Sequence, residues 1–94
     1  MKYEELFEVV RVTSEAIVIK VKEIDNLTRA TYPWMCDVNT EYISVKRGPR
    51  GFMTFIYKDG TSWSLDYNTL CTDKTSELKS NIIRFIESTG YKLK

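Results

Sequence analysis

The sequence predicts an α+β fold: an antiparallel β-sheet of about five strands with one C-terminal amphipathic helix packed on one face. Three observations predict it. Val and Ile crowd the segment from Leu6 to Ile24, and such residues favour a pleated surface over a helix. An Asp-Gly pair, Asp59-Gly60, separates two β-rich runs in the middle of the chain. Near the C-terminus Leu78, Ile82, Phe85 and Ile86 recur at helical spacing. With 94 residues and no repeat, low-complexity tract or linker, residues 1–94 read as a single α+β domain.

The first element is an N-terminal hairpin. With Ser14-Glu15 as the turn, Val12 faces Ile17, Val10 faces Ile19 and Glu8 faces Val21. That register gathers Leu6, Val10, Val12, Ile17, Ile19 and Val21 on one face. It leaves Phe7, Val9, Arg11, Val18, Lys20 and Lys22 on the other. Residues 3–9 would also tolerate a short helix. Asp25 to Thr40 follows as a long loop without a clean period, and a short strand fits around Arg29–Tyr32. Tyr32-Pro33-Trp34-Met35-Cys36 makes this loop unusually apolar, as expected of a segment that is functional or packed over something.

A three-strand meander comes next. A two-residue type I′ turn at Asp59-Gly60 pairs Lys58 with Thr61, Ile56 with Trp63, Thr54 with Leu65 and Phe52 with Tyr67. A four-residue turn at Gly48-Pro49-Arg50-Gly51 pairs Arg47 with Phe52, Val45 with Thr54 and Ile43 with Ile56. The two registers agree with each other. They place Ile43, Val45, Phe52, Thr54, Ile56, Trp63, Leu65 and Tyr67 on one face. The opposite face then holds Tyr42, Ser44, Lys46, Met53, Phe55, Tyr57, Ser62, Ser64 and Asp66. The strand order between the first hairpin and the meander does not follow from the sequence.

The helix is expected from about Asp73 to Thr89. Thr72 or Asp73 would cap its start, and Glu77 would lie near the positive end of the dipole. Gly90 is the expected C′ residue, with Tyr91 packing back on Ile86. Its expected docking surface is the sheet face with Trp63, Leu65 and Ile56.

Composition removes several classes of function. There is no histidine, so the usual general base near neutral pH and the commonest metal ligand are both missing. No Gly-rich phosphate loop, Cys cluster with metal spacing or convergent acidic motif stands in for it. Cys36 and Cys71 form no CxxC pair and are expected to be free, semi-buried thiols. Neither a catalytic set, a metal site nor a cofactor is expected, and the chain reads as a non-enzyme.

No apolar run is long enough for a membrane-spanning helix. The acidic start Met1-Lys2-Tyr3-Glu4-Glu5 is unlike a signal peptide, so the cytoplasm is the expected compartment. Only Ala16 and Ala30 are alanines, while Lys, Ile, Thr and Tyr abound. That bias is common in AT-rich genomes, including those of phages and mobile elements, and the expected source is of that kind.

Two surfaces stand out. One helix covers one side of a sheet, which leaves Tyr42, Met53, Phe55 and Tyr57 on the predicted open face, with Trp34 in the apolar loop nearby. Aromatic residues on an open face anchor protein partners, and a homo-oligomer would use them equally well. A small protein-binding module (an inhibitor, adaptor or host-interaction factor) is the expected function. The alternative is nucleic-acid binding through the basic tip Lys46-Arg47-Gly48-Pro49-Arg50-Gly51, with Lys58 nearby. A formal charge of +1 provides no global field for phosphate, so a protein partner is favoured over nucleic acid.

Overall fold

A computed structural model describes residues 5–22, 39–48, 51–66 and 74–93. Five strands form one antiparallel sheet: β1 (Phe7–Val12), β2 (Ala16–Val21), β3 (Thr40–Lys46), β4 (Phe52–Tyr57) and β5 (Ser62–Asp66). A helix, α1 (Lys74–Ser88), follows them. The strand order is β1-β2-β3-β4-β5, a plain meander in which chain neighbours are sheet neighbours. The α+β architecture expected of the sequence is the one observed, and β2 beside β3 supplies the order the sequence left open.

Cross-strand pairing builds the core in two long rows. Val9, Ile19, Ile43, Phe55 and Trp63 lie opposite one another across the five strands. Val12, Ile17, Val45, Met53 and Leu65 form the second row. Helix α1 adds Leu78, Ile82, Phe85 and Ile86 to the same buried cluster, with Ile83 partly buried beside them. The Phe7 and Phe85 rings meet at 5.6 Å between centroids. A helix about 10 Å across cannot cover five strands spaced about 4.8 Å apart. Each row is therefore closed at the centre and open at one end, with Val9 partly buried and Leu65 buried at the others. Val12 on one edge and Trp63 on the other remain exposed.

Two registers differ from the sequence expectation, each for a local reason. In the first hairpin Val12 pairs with Ile17 as expected, and then the register shifts between Val9 and Arg11. Val10 is the extra residue of a β-bulge. Beyond it Val9 faces Ile19 and Phe7 faces Val21, in place of Val10 and Glu8. Phe7 is consequently a core residue and Val10 an exposed one.

The second difference reverses β4. Val45 lies opposite Met53, not Thr54, and Phe55 lies opposite both Ile43 and Trp63. The turn chemistry explains the slip. A type I′ turn needs positive φ at both central residues, but Gly60 (φ 89°) is positive and Asp59 is not. The loop is three residues long instead: Gly60 N–H donates to Tyr57 O at 3.0 Å and Tyr57 N–H to Thr61 O at 2.9 Å. This is a turn closed by a left-handed glycine, one residue longer than expected. The β3–β4 connection is longer by one residue as well, because Val45 pairs with Met53. Both errors fell on β4 with the same sign, so the two expected registers agreed while both were displaced. Side chains alternate with a period of two, so a one-residue slip moves a whole strand to the other face.

The helix ends as expected at a glycine. Gly90 has φ 94° and donates to Glu87 O at 3.1 Å. The Ser88 and Thr89 hydroxyls donate to the carbonyls of Phe85 and Ile86, each at 2.6 Å, which satisfies acceptors the helix leaves open. Tyr91, expected to pack back on Ile86, is exposed, and Leu93 is the residue buried beyond the cap. The expected caps Thr72 and Asp73 lie outside the described residues, as do the side chain of Glu77, both cysteines and the loop at Arg29–Cys36.

Candidate functional site

The face of the sheet opposite α1 is built from three cross-strand rows. Glu8, Lys20, Tyr42, Ile56 and Ser62 form one, and Arg11, Val18, Ser44, Thr54 and Ser64 the next. Ala16, Lys46, Phe52 and Asp66 complete the face. Its apolar content is therefore Tyr42 beside Ile56, with Phe52 on the same strand as Ile56 and Val18 near the centre. Tyr42, Ile56 and Val18 are half-buried, while Phe52 is 38 % exposed.

Polar groups frame these side chains. Lys46 holds its Nζ 5.3 Å from the centroid of the Phe52 ring, a cation–π contact that stiffens both. The Thr54 and Ser64 hydroxyls meet across strands at 3.1 Å. Hydroxyl pairs of this kind hold neighbouring strands together and leave the surface wettable. A surface of half-buried apolar anchors among hydroxyls and mixed charges is suited to contact rather than to chemistry.

The structure places the sequence-predicted site residues unevenly. Tyr42 lies on the face opposite α1, as expected. Met53 and Phe55 do not: they are 0 % and 3 % exposed, in the core rows under α1. Tyr57 packs partly against that same core, opposite the buried Thr40. Trp34 lies outside the described residues. The slip of β4 gives the reason, and it also supplies the residues that sequence reasoning missed. Phe52 and Ile56 were expected beneath the helix and stand on the open face. Ile56 was likewise expected in the helix-docking surface, where Met53 and Phe55 take its place beside Leu65. The readable signal was the Thr in Phe52-x-Thr54-x-Ile56, since Met53-x-Phe55-x-Tyr57 is the more apolar set.

The basic tip is also not the free cluster the sequence implied. Arg47 is anchored on three sides. Its N–H donates to Glu15 O at 2.8 Å, its Nη1 to Thr13 O at 3.2 Å and its Nε to Lys92 O at 3.2 Å. Gly48 N–H donates to Leu93 O, which seats the C-terminal segment against the same turn. Lys46 is exposed, and Arg50 lies outside the described residues. Lys58 sits in the β4–β5 loop, at the other end of β4 from this turn. Six residues of strand separate them by about 20 Å.

Comparison with protein-family models, with curated proteins and with solved structures returned no match. Among the described residues no three of Cys, Asp and Glu gather as they would around a metal ion. Among them, too, no helix is long and apolar enough to cross a membrane.

Proposed function

We propose that this chain is a small, non-enzymatic protein-binding module, an inhibitor, adaptor or host-interaction factor of the cytoplasm. Its partner sits on the sheet face opposite α1, at Tyr42, Phe52 and Ile56. One observation carries the reading: α1 packs on only one face of a five-stranded sheet, and the other face presents these three anchors on adjacent strands β3 and β4. Aromatic residues with polar neighbours are the usual centre of a contact surface. The compositional bias fits a phage or mobile-element source, where small factors directed at host proteins are a natural role.

Nucleic-acid binding through the tip is the weaker alternative. Arg47 is committed to two carbonyls, so of the candidate phosphate contacts the described ones left are Lys46, at the end of β3, and Lys58, beyond the far end of β4.

The test is affinity capture on the wild-type chain and on the combined variant Tyr42→Ser, Phe52→Ser, Ile56→Ser, after nuclease treatment, with Glu87→Gln on the exposed side of α1 as control. The proposal expects a protein captured by wild type and control and lost from the combined variant, whose circular dichroism stays native. Capture that survives the three changes contradicts it. Capture that vanishes with nuclease transfers the role to nucleic acid.

A further inference from the structure

The two edges of the sheet are built differently. Strand β1 is a poor template for further pairing: it carries a bulge at Val10 and exposed charges at Glu8 and Arg11. Strand β5 has no bulge among the described residues, and its one charge, Asp66, stands at its end. It pairs with β4 residue for residue from Ser62 to Asp66 without a shift, and it contains no proline, lysine or arginine. Its core-side residue Trp63 is 48 % exposed at the open end of a core row, although its ring touches Phe55 at 5.5 Å.

The hydrogen-bond phase of β5 is fixed. Tyr57 N–H donates to Thr61 O, and bonded and non-bonded pairs alternate along an antiparallel ladder. Trp63 and Leu65 therefore turn their backbone groups toward β4, while Ser62 and Ser64 turn theirs outward. The segment Ser62-Trp63-Ser64-Leu65-Asp66 alternates polar and apolar in the same way from either end.

We infer that β5 is a self-association seam, where a second copy of this chain pairs its β5 antiparallel to the first about a two-fold axis at Ser64. In that register Ser64 faces Ser64 of the second copy, and their outward N–H and C=O groups bond to each other. Trp63 faces Leu65 of the second copy on the helix side, so each exposed indole gains an apolar neighbour. Ser62 faces Asp66 of the second copy, so no like charges meet. A slip of one residue puts outward groups opposite inward ones and loses the bonds. A slip of two shortens the seam. This self-match is what a two-fold interface requires. A five-residue seam is smaller than the usual stable interface of about 1,200–2,000 Å². The dimer is therefore concentration-dependent, and it joins two five-stranded sheets into one.

The experiment is sedimentation equilibrium of the full chain from about 1 μM to about 1 mM. The wild type moves from 11.0 kDa toward twice that mass. Ser64→Lys and Ser64→Glu each set two like charges opposite each other at the axis, and each shifts the midpoint to about fivefold higher concentration or more. An equimolar mixture of the two variants recovers the wild-type midpoint, which shows that both fold and that residue 64 meets its own copy. A wild type that stays at 11.0 kDa throughout overturns the inference, as does a dimer insensitive to both substitutions or a mixture that does not recover.

Discussion

Arg47 contributes more to the shape of this molecule than to its charge. Its backbone and side chain together join the β1–β2 turn, the β3–β4 turn and the C-terminal segment at Lys92. Bonds from a guanidinium to carbonyls are stronger than neutral ones, and one of these two is partly buried. Arg47→Ala is expected to cost about 1–2 kcal/mol, discounted because the bond to Lys92 is exposed to solvent. Arg47→Lys should recover little, since one ammonium cannot reach both carbonyls. Chemical denaturation of the three proteins checks this, and an Arg47→Ala midpoint equal to wild type would contradict the role. At Asp59 the Thr61 hydroxyl and then the Thr61 N–H, both donating to Oδ1, hold the carboxyl below its ordinary value of 3.8. The sign follows directly: the loop favours the ionised form, so its contribution is complete above 3.8 and fades as pH falls through the lowered folded-state value. An NMR titration should find the midpoint below 3.8 and see it rise in Thr61→Val, which removes the larger donor; an unmoved midpoint would refute the cause.

At the scale of elements, how much the sequence reveals depends on how much a pattern constrains. Helix α1 was legible because Leu78, Ile82, Phe85 and Ile86 fit one stripe at one period, and Gly90 marks its end. The inward sides of β2 and β3 were legible too, since Ile17, Ile19, Ile43 and Val45 alternate with more polar residues. Strand β4 was not, because Phe52-Met53-Thr54-Phe55-Ile56-Tyr57 is apolar on both sides and passes its face assignment to the turns. Asp-Gly serves both a two-residue primed turn and a three-residue loop closed by glycine, and only φ at Asp59 separates them. The bulge in β1 was hidden for a similar reason: residues 9 and 10 are both valine, so nothing marks which is the extra one. The candidate site inherited the β4 error. Tyr42 keeps its expected face, Met53 and Phe55 lie on the opposite one, and Phe52 and Ile56 take their places.

At the scale of the molecule, the decisive fact is the mismatch between the five strands and the one helix of the described residues. Among those residues no other element covers the second sheet face or the outer edges of β1 and β5. The first edge is blunted by a bulge and charges; the other remains regular, with Trp63 beside it. The order of the strands was beyond the sequence, because the connection from β2 to β3 carries no period from which a crossover or a simple return could be read. The proposed contact face depends on which side of β4 faces α1. Side-by-side denaturation of Phe52→Ser and Phe55→Ser measures that directly. The account predicts a loss of about 3–5 kcal/mol for Phe55→Ser, as for large-to-small changes in a core, and no more than about 1 kcal/mol for Phe52→Ser. Stability lost at Phe52 and retained at Phe55 would contradict it.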